Sequence, residues 1–274
     1  MPEPRFLTKR MIEQIFDDTA TSYDRVGPRF FSQFGERLVE QMPLARGLRV
    51  LDVATGTGAV LLPAARRVGS GGQVIGIDLS SEILKEAERV ARAEGLANVE
   101  LRKMDAEHLD FPDHAFDVVT CGFALFLFPD MEGALREMYR VCKPGGCVAM
   151  THFSKTPTPF DPGLSILMQQ FMAYRVAVTL PPQLAYTPQE VEALLSRSGF
   201  HSIKTHSETN DIVYASAEDC WGLILTLPPR AAIIGMSEET RARFKDECLA
   251  KLREGFREDG LHLSLGVIYT VARR

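Results

Sequence analysis

From about residue 48 to residue 152, short apolar, β-branched runs alternate with segments whose apolar residues recur every three to four positions. The runs LRVLDVA (48–54), QVIGIDL (73–79), VELRKM (99–104), FDVVTCGF (116–123) and GCVAMTHF (146–153) predict five strands. Between them, Ile83, Leu84, Ala87, Val90 and Ala91 share one face of a helix that Ser80 or Ser81 caps and Gly95 ends. A later helix carries Leu135, Met138, Tyr139 and Cys142 on one face and closes at Pro144-Gly145-Gly146. This alternation predicts a mostly parallel sheet with helices on both faces.

The flanks are less regular. Residues 5–43 read as helices that precede the first strand. Residues 154–186 begin Pro-rich, pass through a Met- and aromatic-rich helix and end at Pro181-Pro182. Because this stretch follows a strand's carboxyl end, it reads as a lid over a cleft, with a packed surface insertion as the other account. A helix over Pro188–Ser198, a sixth strand near 201–207, two helical stretches and a final strand, LSLGVIYTVA, complete the chain. The expected organisation is one domain over 1–274. It comprises an N-terminal cap (1–45), a core (46–153), the lid (154–186) and a C-terminal part of the sheet (187–274) with a helical substrate-side insertion at 215–258.

Composition narrows the classes. The 274 residues carry a net charge of −5 with no basic block, which argues against a nucleic-acid partner. No apolar run approaches the roughly 18 residues of a membrane span, and the N-terminus lacks a signal-peptide pattern. The five cysteines (Cys121, Cys142, Cys147, Cys220, Cys248) form no C-x-x-C pair, so reduced thiols and a cytoplasmic setting are expected. No His/Cys/Asp cluster has metal-ligand spacing, and no metal is expected.

The chemistry concentrates at LDVATGTGAV, Leu51 to Val60. A phosphate loop is excluded because no Lys follows Gly58. A dinucleotide fingerprint wants a third small residue where this chain has Leu61, although the acid that ends the second strand, Asp78, is present. Taken alone, the turn and Asp78 do not separate NAD from other adenosine ligands. Asp52, a carboxylate within an apolar strand, is costly unless it reaches polar groups. With Asp105 at the end of the third strand, Asp52 and Asp78 are expected to line one cleft. Such a cleft suits a ligand with a positive centre, amino groups and ribose hydroxyls better than a pyrophosphate.

These motifs resemble those of class I S-adenosylmethionine-dependent methyltransferases, in the branch of the ubiquinone/menaquinone-biosynthesis C-methyltransferases. LDVATGTGAV matches the glycine loop, with Ala54 in place of its first glycine. VIGIDLS, MDAEHLDFPDHAFDVVTC, ALREMYRVCKPGG and the N-terminal FDDTATSYD match further motifs in order over about residues 12–153. The resemblance implies a Rossmann-like, seven-stranded, mostly parallel sheet with the last strand antiparallel, and S-adenosyl-L-methionine as cofactor. It places Gly56 and Gly58 beside the cofactor's methionine moiety and Asp52 near its ammonium. Asp78 would take the ribose hydroxyls, Leu79 the adenine face, Asp105 the adenine amino group and Ala106 a ring nitrogen. Cys121 and Gly122 would line the methionine end, and Tyr23 would close over the cofactor.

Methyl transfer from a sulfonium is an in-line displacement, so alignment and exclusion of water are the protein's main tasks. His152, at the end of the fifth strand, is the candidate general base; a hydrogen-bonded histidine that orients the lid is the other reading. The quinone C-methyltransferases tend to carry a carboxylate near this position, which weakens any claim to their acceptor. Phe153, Met168, Phe171, Met172, Tyr174, Arg175 and Trp221 are the candidates for acceptor selectivity, with core packing as the alternative. The expected activity moves a methyl group to a small apolar or aromatic acceptor. An NAD-dependent oxidoreductase and a cofactor-binding protein without methyltransferase activity are the competing readings.

Overall fold

The computed structural model describes residues 8–158, 162–178, 181 and 183–274. Parts of the expected cap and lid, namely 1–7, 159–161, 179–180 and 182 with Pro182 of the terminal proline pair, lie outside the described residues. Helices α1 (Lys9–Thr19) and α2 (Phe30–Gln41) come first. The alternating unit follows: β1 (Arg49–Val53), α3 (Leu61–Val68), β2 (Gln73–Asp78), α4 (Ser81–Ala93), β3 (Val99–Lys103), β4 (Phe116–Gly122), α5 (Met131–Val141) and β5 (Cys142–Ser154). The chain continues through α6 (Gly163–Ala173), β6 (Ala185–Tyr186), α7 (Pro188–Arg197) and β7 (His201–Tyr214). It ends with α8 (Ala217–Ile224), α9 (Arg230–Ile234), α10 (Glu238–Glu254) and β8 (Leu261–Arg273).

The sheet runs β3-β2-β1-β4-β5-β8-β7, with β6 pairing beside the end of β5. Strands β1 to β5 are parallel, and β8 lies antiparallel between β5 and β7. Strand order reverses between β1 and β4, which opens a crevice at their carboxyl ends. The expected mixed sheet with its antiparallel last strand is present, with three differences. β5 starts at Cys142 because α5 stops at Val141 and Cys142 already pairs with Phe116 across a bulge. β7 runs on to Tyr214, its polar stretch held by pairing with β8 as far as Tyr214↔Leu261. β6 is an additional, eighth strand, too short at two residues to show any alternation.

Local chemistry explains the boundaries near the crevice. Ser80 caps α4 by accepting the Ile83 N–H at 3.1 Å, and Gly95 leaves the helix with φ 70°. Thr187 and Glu190 form a reciprocal capping box on α7. The five cysteines are unbridged and buried. No helix among the described residues is long and apolar enough to cross a membrane.

Candidate active site

The turn after β1 is built on left-handed backbone: Ala54, Gly56 and Gly58 have φ of 53°, 55° and 96°. The Gly58 N–H donates to the Thr55 carbonyl at 2.9 Å, and the Thr55 N–H donates to Ile77 of β2 at 2.9 Å. Leu61 fits in the place where dinucleotide folds want a small residue because β2 has Gly76 opposite. A Cβ there would fall 2.9 Å from the Leu61 Cδ1.

Two acids brace this turn. Asp52 accepts the Thr55 and Thr120 hydroxyls, each at 2.6 Å. Burial pushes its pKa up to about 6, against the lowering effect of those two bonds. Asp78 accepts the Gly56 N–H and the Ser80 N–H, each at 3.0 Å. Burial likewise raises it to about 6, partly offset by backbone N–H donors from Ser80, Gly56 and Leu79. Both are mainly carboxylates at neutral pH.

Three cavities meet above the turn. The first lies between α1 and the ends of β2 and β3, walled by Lys9, Ile12, Asp78, Leu79, Asp105 and Ala106. Burial alone would raise Asp105, but the Lys9 ammonium, 2.7 Å away, and the Glu107 N–H hold it below the usual carboxylate range. Lys9 also pairs with Glu107. The second cavity lies over the turn itself, among Phe31, Gly35, Asp52, Thr55 and Thr151.

The third cavity is a chamber of about 620 Å³ with its open mouth included. Phe16, Phe31, Phe126, Leu127 and Phe153 form one part of its wall, and Leu164, Leu184 and Leu227-Pro228-Pro229 form the other. Tyr23 and Phe123 border all three cavities. Tyr23 stacks on Phe31 with ring centroids 5.5 Å apart and meets Phe16 edge-on at 5.5 Å. Burial raises the Tyr23 phenol well above its ordinary pKa, so it stays protonated.

Of the residues named from sequence, Tyr23, Ala54, Gly56, Asp78, Leu79, Asp105, Ala106 and Gly122 line the first cavity. Asp52 lines the second and Phe153 the third. Gly58 lines none of the three; its Cα faces Leu62, and it shapes the turn rather than its rim. Cys121 and His152 also fall outside them, for one reason. Paired Gly122 and Thr151 face the crevice, so their chain neighbours on β4 and β5 point through the opposite face of the sheet.

His152 is therefore not placed as a base. It is 1% exposed, its ring lies 5.3 Å from Tyr186, and its Nε2 has no hydrogen-bond partner among the described residues. Burial lowers its pKa to about 4. The unfolded histidine takes up its proton near pH 6.5 and the folded one only near 4, so stability falls as pH drops through that window. At pH 5 the cost is about 2 kcal/mol. His152→Leu is expected to keep kcat within a few-fold and to outlast the unaltered protein in denaturant at pH 5 but not at pH 7.5. A general base would instead cost about 10²–10⁴ in rate.

The other acceptor candidates pack elsewhere. Trp221 is buried at 5% exposure with Phe244 6.1 Å from it, and Phe171 lies 5.0 Å from the same ring. Tyr174 accepts from Arg243 at 3.2 Å and Arg175 is exposed. Met168 packs partly buried against the core, and Met172 is 76% exposed. None of them lines the chamber, because the α6 face that reaches it carries Leu164. Phe31, Phe123, Phe126 and Leu127 were not among the residues named from sequence; for the last three the run FALFLF after β4 was the available signal.

Residues 6–184 match the model of the ubiE/COQ5 methyltransferase family. The chain is 40% identical over 156 residues to aklanonic acid methyltransferase DauC of Streptomyces sp. (strain C5), covering 56% of this chain and 71% of that protein. It is 38% identical over 153 residues to the demethylmenaquinone methyltransferase of Geobacillus kaustophilus (strain HTA426), covering 54% and 65%. The match thus spans about two thirds of the length of these relatives. Its fold is shared with the [4+2]-cyclase SpnF at a TM-score of 0.63 and 20% identity, over 98% of this chain and 97% of that one. The family match displaces the dinucleotide reading of the turn. The chain belongs to the ubiE/COQ5 methyltransferase family and is an S-adenosylmethionine-dependent methyltransferase.

Proposed function

We propose that the first two cavities hold S-adenosylmethionine and that the aromatic chamber holds a flat, apolar, multi-ring acceptor. One observation carries this reading: an acid-walled cleft and an almost wholly apolar chamber share a border at Tyr23 and Phe123. The residues fit the donor. Asp78 has carboxylate lone pairs for two ribose hydroxyls, Asp105 one for an adenine amino group, and Leu79 and Ala106 lie beside them. A side chain at Gly56 would project towards Tyr23, where a Cβ would lie 3.8 Å from the Tyr23 ring, so glycine keeps that gap open. Asp52, already satisfied by two threonine hydroxyls, supports the turn and sets the local negative potential near the ammonium.

When bound, the cofactor supplies an already activated methyl carbon. The chain supplies alignment and dryness. Tyr23 and Phe31 form a stacked aromatic floor, and α1 with the Leu227–Pro229 segment excludes water. The relatives named for aklanonic acid and demethylmenaquinone support a ring-bearing acceptor.

Asp78 must be ionised to receive two hydroxyl donors. With its pKa at about 6, roughly one site in ten is ionised at pH 5. Titration calorimetry is expected to show S-adenosylhomocysteine binding about tenfold more weakly at pH 5 than at pH 7.5, with NAD silent at both. A flat pH profile would remove Asp78 from the cofactor site.

A further inference from the structure

Six non-glycine residues among those described have left-handed backbone, and three of them, Asp24, Ala54 and Phe123, stand at or beside the point where the cavities meet. An L residue adopts that conformation at a cost, and such strain gathers where a structure must aim a side chain. Phe123 is the bulkiest of the three. It follows Gly122 at the end of β4 with φ 51°. Its N–H donates to both the carbonyl and the hydroxyl oxygen of Thr151 on β5, each at 3.1 Å.

The ring so aimed is wedged between aromatic neighbours. Phe153 lies 4.7 Å away, Phe31 5.6 Å and Phe34 5.7 Å, centroid to centroid. Gly122 leaves room for this geometry, since a Cβ there would meet the Val60 Cγ2 at 3.1 Å. Unlike Phe31, which borders two of the cavities, Phe123 borders all three. An ordinary core phenylalanine needs neither the strained backbone nor the double clamp from Thr151.

We propose that Phe123 is the partition between the sulfur end of the donor and the acceptor chamber, a positioning residue that admits a methyl group and rejects larger sulfur substituents. The proposal rests on the placement of the donor given above. Packing at native density makes such a wall sensitive to one or two carbon atoms, so its size sets both the donor's alkyl group and the acceptor's approach.

Calorimetry on the full chain tests this without turnover, using S-adenosylhomocysteine and an S-adenosylmethionine analogue that carries benzyl in place of methyl. The unaltered protein is expected to bind the benzyl analogue at least about 30-fold more weakly than S-adenosylmethionine. Phe123→Ala is expected to close that gap to about threefold, with S-adenosylhomocysteine binding retained as the sign of an intact donor site, and Phe123→Leu should fall between. Phe123→Gly suits the left-handed backbone, so it should melt above the alanine variant and offers the same opening if that variant does not fold.

An unchanged gap in the alanine and glycine variants would overturn the partition, as would loss of S-adenosylhomocysteine binding in folded variants. If S-adenosylhomocysteine fails to bind the unaltered protein, the donor placement itself falls, and the partition with it.

Discussion

Asp78→Asn is expected to weaken S-adenosylhomocysteine binding by at least about a hundredfold. The substitution preserves shape and removes charge. Two charge-assisted hydrogen bonds to ribose hydroxyls are lost, each worth roughly 1.5–3 kcal/mol. A second effect adds to this. Asp78 now accepts from the Gly56 and Ser80 N–H groups with separate oxygens. An asparagine can satisfy only one of these with its carbonyl and must turn its NH₂ towards the other donor. Gly56 or the start of α4 is then left without an acceptor, and the turn loosens. Calorimetry measures the affinity, and a melting curve within a few degrees of the unaltered protein would show that the fold persists. Binding within threefold of the unaltered protein would dismiss Asp78 as the ribose acid.

Gly35→Ala is expected to destabilise the protein by about 2 kcal/mol or more, although Gly→Ala inside a helix ordinarily gains about 1 kcal/mol. Gly35 lies in the middle of α2, where it presses on the turn. A Cβ there would lie 2.0 Å from the Ala59 carbonyl oxygen and 3.1 Å from the Val60 N. Both obstacles are backbone, so no side chain can swing aside. Relief requires α2 to move off the turn, which opens the second cavity at Phe31 and Gly35 and exposes the packing of Phe30, Phe34 and Leu38. Urea unfolding should report the loss of stability, and S-adenosylhomocysteine binding should weaken with it. A more stable alanine variant would mean that α2 does not back the turn this closely.

Much of the first two cavities was legible in the sequence, because their walls are written in short local signals. A β-branched run, a turn whose glycines need left-handed backbone and an acid at the next strand's end place Ala54, Gly56 and Asp78 without tertiary information. Asp105 follows from the same rule, that parallel strands present their carboxyl ends to one crevice.

The aromatic chamber was much less legible, for two physical reasons. Strand parity is invisible until register is known. His152 sits one residue from Thr151 and Phe153, which face the crevice, and so faces away from it. Apolar helices also look alike whether they line a chamber or fill a core. Trp221 and Phe171 gather on Phe244, while the chamber is built from FALFLF after β4 and the LPP segment before α9. Only long-range contact separates these cases.

The fate of a labelled methyl group tests methyl transfer to a ring-bearing acceptor directly. The protein would be incubated with methyl-deuterated S-adenosylmethionine and a series of one-, two- and three-ring hydroxylated aromatic acids and quinols, and the products weighed by mass spectrometry. The intact label is expected in a flat two- or three-ring acceptor, in step with S-adenosylhomocysteine, and Asp78→Asn is expected to abolish it. Label that stays on the bound donor while such an acceptor is rearranged without gaining a methyl group would contradict methyl transfer.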